Sequence, residues 1–107
     1  MATAQSTADY IVDQLSDLPG IRTRKMFGEY ALYYQEKVIA LICDDRLYVK
    51  KTKAGEECID DIIEDAPYPG AKPYYLIDEA RWEDREWLAT LIEKTAAEIP
   101  TPRLKKK

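Results

Sequence analysis

Met26-Phe-Gly-Glu-Tyr-Ala-Leu-Tyr-Tyr34, Gln35-Glu-Lys37, Val38-Ile-Ala-Leu-Ile-Cys43, Asp44-Asp45 and Arg46-Leu-Tyr-Val-Lys50 follow one another without interruption. Three segments rich in β-branched and aromatic residues, joined by short polar connectors, spell an antiparallel meander. A two-residue loop at Asp44-Asp45 sets Cys43 opposite Arg46, Leu41 opposite Tyr48 and Ile39 opposite Lys50. Ile39, Leu41 and Tyr48 then share one face, and Val38, Ala40, Ile42, Leu47 and Val49 share the other. The second set is wholly apolar and is expected to meet helices. The first is mixed, and is left for water or a partner.

The connector before it is less decisive. A three-residue loop, Gln35 to Lys37, puts Tyr30, Leu32 and Tyr34 on the core side and Ala31 and Tyr33 outside, whereas a two-residue loop reverses them. The longer loop sends more bulk inward and is preferred.

Working outward, Ser6 and Asp9 resemble a capping box before a helix whose apolar positions are Ile11, Leu15 and Leu18. Pro19-Gly20 ends it. Arg22 to Phe27 reads as a first strand, with Gly28 marking a bulge or tight turn. Thr52 caps a second helix with Ala54, Cys58, Ile59, Ile62 and Ile63 inward and acids outward. After Pro67-Tyr-Pro-Gly70 and Pro73, Tyr74 to Ile77 forms a short edge strand. A last helix from Trp82 to Ile99 buries Leu88, Leu91, Ile92, Thr95 and Ile99, and Pro100 stops it.

The expected fold is α+β and two-layered. A meander of about four strands and one short edge strand packs against helices, in the order α-β-β-β-β-α-β-α. Residues 1–5 are expected to be a disordered leader, 6–99 one domain and 100–107 a disordered basic tail.

The chain has 107 residues, enough for one domain and one core. It lacks histidine, which removes the commonest general base, zinc ligand and pH switch together. Carboxylates on the second helix read as a solvated face, and Asp44 and Asp45 as turn formers. Neither Gly28 nor Gly70 belongs to a phosphate-binding pattern. No enzyme is therefore expected, and no catalytic residue, cofactor or metal. Cys43 and Cys58 fall in apolar settings as reduced thiols, and no run spans a bilayer, so a cytoplasmic protein with no membrane partner is expected.

Net charge is −4, and the cations Arg103, Lys105, Lys106 and Lys107 leave −8 on the residues before them. An acidic body disfavours a broad nucleic-acid surface. Weak attachment through that tail and the Arg22, Arg24, Lys25 patch stands as an alternative, with a salt slope of about −3.6 for four cations. Eight tyrosines, six of them on strand segments, allow a further alternative, a tyrosine-lined small-molecule cleft. The leading surface is the mixed sheet face with Tyr33, Ile39, Leu41 and Tyr48, hydrophobic enough to bind a second copy or another protein.

The segments Lys25 to Tyr34, Lys37 to Lys50 and Tyr68-Pro-Gly-Ala-Lys-Pro-Tyr-Tyr75, with Trp82-Glu-Asp-Arg-Glu-Trp-Leu88 opening the last helix, resemble the TfoX (Sxy) N-terminal domain family. The likeness runs from Ser6 to Ile99. It implies helices packed on an antiparallel sheet and no catalytic residue or cofactor. Named members regulate natural competence, promoting transcription of DNA-uptake genes together with a cyclic-AMP receptor protein. They carry a second, C-terminal helical domain, so this chain is expected to be a stand-alone member. Protein contact in transcription or competence regulation, with transcription machinery or a second copy as partner, is the function the resemblance implies.

Overall fold

Two tight turns organise the sheet. Gln35 and Glu36 take φ of 52° and 71°, and Asp44 and Asp45 take 53° and 59°. Paired positive φ is the type I′ geometry whose twist suits a two-residue hairpin loop. These turns join β2 (Glu29–Tyr34), β3 (Lys37–Cys43) and β4 (Arg46–Val49). The computed structural model describes residues 5–26 and 29–99. The expected leader through residue 4, the Gly28 bulge and the basic tail lie outside them.

The β3–β4 register is the one the Asp44-Asp45 loop requires, with Leu41 opposite Tyr48 and Cys43 opposite Arg46. Between β2 and β3 the loop has two residues, not three, since Tyr34 pairs with Lys37. Tyr30, Leu32 and Tyr34 nevertheless face the core. A bulge reconciles the two facts. Leu32 pairs with Ala40 and Tyr33 with Val38, leaving Ile39 as an extra residue that shifts the side-chain phase by one. Ile39 thereby enters the core at 0% exposure, while Val38 moves to Tyr33's side. Both were expected on the opposite faces, because strict alternation has no term for an inserted residue.

The six-stranded antiparallel sheet has the order β1-β2-β3-β4-β6-β5, with β1 (Ile21–Met26), β5 (Glu64–Asp65) and β6 (Tyr74–Ile77) completing it. The strand at Tyr74 is not the edge; β5 covers it, pairing Glu64 with Tyr75 and Asp65 with Tyr74. Helices α1 (Gln5–Gln14), α2 (Lys53–Cys58) and α3 (Arg85–Glu98) contribute residues to the core on one face of the sheet. The architecture is the expected α+β arrangement.

Core burial explains the helix phases. Ala8, Ile11 and Leu15 meet Leu88, Leu91, Ile92 and Ala96 over Leu32, Ile42, Leu47 and Val49. Helix α1 already includes Gln5, so Ser6 is an intrahelical residue, not a cap. The buried stripe demands only the helical phase, which an earlier start preserves. Lys37, on the helix side of β3, donates from Nζ to the Ala96 carbonyl at 2.8 Å, satisfying a last-turn acceptor of α3.

The second helix is much shorter than its apolar spacing indicates. Thr52 caps it, its Oγ1 accepting from Gly55 N at 2.9 Å, and the Glu98 carboxylate accepts from the Lys53 and Ala54 amides at 3.0 and 2.6 Å. It ends at Cys58, with Ile59 already extended. Acids crowd the sequence that follows, and carboxylates at a helix C-terminus oppose its dipole. Trp87 Nε1 takes the Cys58 carbonyl at 2.9 Å, so the end is satisfied by a ring instead of a further turn. Ile62 and Ile63 consequently stand 37% and 51% exposed.

The last helix is also divided. A 3₁₀ helix, Glu79–Glu83, precedes α3, and the Asp84 carboxylate between them accepts from Trp87 N at 3.1 Å. Trp82 is held by a bond from Nε1 to the Ile77 carbonyl at 3.2 Å. Leu88, Leu91, Ile92 and Thr95 are buried as their spacing requires, with Ile99 packed against the core.

Candidate protein-contact surface

The sheet face away from the helices carries an apolar row built by register alone. Ala31 on β2 pairs with Leu41, Leu41 with Tyr48 and Tyr48 with Leu76, so one line crosses four strands. Non-polar residues at matching positions reinforce each other across strands. Leu41 and Leu76 are half-buried, while Ala31 and Tyr48 are closed off, Tyr48 at 3% exposure. The neighbouring Tyr48 hydroxyl holds the Arg46 guanidinium above its ordinary range.

The row ends in charge on β1. Arg22 lies 4.4 Å from the centre of the Tyr33 ring and 3.8 Å from the Glu36 carboxylate. Arg24 pairs with Ala31 on the same face, but Lys25 pairs with core-facing Tyr30 and falls on the opposite side. Alternation therefore splits the three cations that adjacency in sequence put together. Arg103, Lys105, Lys106 and Lys107 are outside the described residues.

Of the proposed contact residues, Tyr33, Leu41 and Tyr48 share the outer face, and Ile39 does not, for the reason given by the bulge. The strand tyrosines divide evenly: Tyr30, Tyr34 and Tyr75 join the core, and Tyr33, Tyr48 and Tyr74 alternate to the outer side. Burial raises the Tyr74 phenol, with Tyr68 and Cys43 adding to it. Pro67, in the loop between β5 and β6, is buried.

Cys43 is buried beside this row. Burial pushes its thiol up to about 11, and the carboxylates of Glu29 and Asp44 add to the shift. A thiol so raised is protonated at neutral pH and a poor nucleophile. Both cysteines are free. Among the described residues, no three histidine, cysteine or carboxylate side chains form a group able to hold a metal ion. No helix there is long and apolar enough to cross a membrane.

A second exposed feature escaped the sequence reading: the segment from Asp60 to Asp65, all of it exposed, ending in the terminal strand. Hollows of about 330 and 160 Å³ flank Ile63, both also lined by Leu76 and Ile77. Its helical spacing hid it. The signals that favour a strand are the paired β-branched isoleucines and the absence of any cation near the supposed helix end.

The fold and surface define a small α+β domain, one face of its sheet covered by helices and the other presenting a mixed apolar and charged surface. Residues 13–99 match the family model of the TfoX N-terminal domain, so the chain belongs to that family. It is 42% identical over 106 residues to a Spirochaeta aurantia protein described as an uncharacterized 12.7 kDa protein in the trpE 5′ region. The match covers 99% of this chain and 91% of that relative.

Proposed function

We propose that this TfoX N-terminal domain works without catalysis, as a cytoplasmic protein-contact module in the regulation of transcription or competence. The observation that carries the reading is the Ala31–Leu41–Tyr48–Leu76 row, apolar across four strands on the face the helices leave alone. Half-buried leucines flanked by a tyrosine and arginines have the makeup of an interface core with a polar rim. The family's competence regulators supply the biological setting.

A photo-crosslinking amino acid in place of Leu41, expressed in the native cell, tests it. Adducts with a transcription regulator or polymerase subunit are the expected result, lost when Leu76→Glu is added. Adducts confined to metabolic enzymes would remove the regulatory role. No adducts at all would remove the contact surface.

A further inference from the structure

The open edge of β5 adjoins the apolar row, with Leu76 common to both, and the inference drawn from it rests on the same reading of the domain as a protein-contact module. We infer that this edge receives an extended segment of a partner protein in which basic and apolar residues alternate, adding a seventh strand. In the sheet order β5 is terminal, with β6 on one side and, among the described residues, no strand on the other. The Ile63 carbonyl accepts the Leu76 amide at 2.8 Å, so Ile63 points its peptide groups inward. Alternation along the strand turns the Glu64 amide and carbonyl outward, where an added strand makes its ladder bonds.

Side-chain recognition is present beside that ladder. Ile63 is 51% exposed between the two hollows, which share Ile63, Leu76, Ile77 and Asp78 as lining. One hollow continues to Asp45, Arg46, Glu79 and Trp82, the other to Ile59, Asp61, Arg81 and Trp87, so each holds one arginine among more carboxylates. Apolar residues of an added strand have somewhere to go.

Charge selects the occupant. From Glu56 to Asp65 there are six carboxylates and no cation. Lys51 reaches one of them, Glu64, at 2.8 Å. Like charges facing each other across a strand pair are unfavourable, so a second copy of this edge is repelled. Opposite charge at alternate positions is attracted, and that is the partner chemistry the edge accepts.

The test uses the full chain and three fluorescein-labelled synthetic peptides: an alternating Lys-Val repeat, a block isomer of the same composition, and an alternating Glu-Val repeat. Fluorescence anisotropy should show the alternating basic peptide binding about tenfold more tightly than its block isomer, and the acidic repeat not binding. Glu64→Pro, which deletes an outward donor, should lose about tenfold, and Glu64→Gln about threefold. Circular dichroism checks that both variants fold. In the unaltered protein, the Glu64 amide should gain hydrogen-exchange protection when the basic peptide is added, which keeps the question open to an answer if Glu64→Pro fails to fold. Equal binding of the two basic peptides, binding of the acidic repeat, no binding at about 1 mM, or an unprotected Glu64 amide would each overturn the edge assignment. If crosslinking from Leu41 persists in that case, the failure belongs to the edge alone.

Discussion

Gly55 on α2 faces Thr95 on α3 so closely that a β-carbon placed on Gly55 would stand 3.2 Å from the Thr95 hydroxyl and 2.8 Å from that of Thr52. Thr52 Oγ1 is already committed to the Gly55 amide. The neighbour therefore cannot retreat without giving up the cap. Gly55→Ala should lower stability by about 1–3 kcal/mol in urea unfolding, although alanine is the better helix former. Adding Thr95→Ala, which vacates one side of the contact, should recover part of that loss.

Thr95 Oγ1 is itself buried without a hydrogen-bond partner among the described residues. An orphaned hydroxyl costs more than an isosteric methyl group in the same place. Thr95→Val should raise the melting temperature, by an amount corresponding to about 1 kcal/mol. A lower melting temperature would show that the hydroxyl does find a partner.

Ile39 and Val38 test the bulge directly. With Ile39 in the core and Val38 on the outer side, Ile39→Ala should cost about 2–5 kcal/mol and Val38→Ala well under half as much. Strict alternation through β3 requires the reverse order. Denaturant titration of the pair decides between them.

The Gln35-Glu36 turn holds two non-glycine residues at positive φ. Glu36→Gly should relieve the less favourable of them and stabilise the hairpin by about 1 kcal/mol. Its ion pair with Arg22 spans 3.8 Å and is largely exposed, so little is lost with it.

The raised Cys43 thiol gives a pH signature. An unfolded thiol loses its proton near 9.0, whereas in the fold that waits until about 11. Across this window the unfolded chain holds fewer protons than the native one, so stability falls as pH rises, by up to about 1.4 kcal/mol per unit. Below the window the group contributes no such dependence. Cys43→Ala should flatten the alkaline limb relative to the unaltered protein, measured as unfolding free energy from pH 8.5 to 11.5.

Local chemistry made much of this fold legible. The Asp44-Asp45 turn alone set the β3–β4 register, and the Thr52 cap and the Leu88–Leu91–Ile92–Thr95 stripe followed from spacing. What spacing could not resolve were competitions settled by tertiary partners. Helix α2 stops because Trp87 takes its last carbonyl and β6 needs a neighbour, so Ile62 and Ile63 leave the helical phase. For the candidate surface, Leu41 and Tyr48 were readable from one turn, whereas Ile39 was not, since an inserted residue leaves no mark in composition. Of Arg22, Arg24 and Lys25, the first two share a side and Lys25 does not, because neighbours in a strand point to opposite sides.

The inserted residue in β3 also bears on how the family can vary in length. Remove Ile39, and Tyr33–Val38, Leu32–Ala40 and Ala31–Leu41 become consecutive rungs of an uninterrupted hairpin. Every surviving side chain keeps its side. A homologue one residue shorter here would lose a buried isoleucine and the carbonyl that accepts the Lys50 amide, while every other side chain of the hairpin stays on its own side.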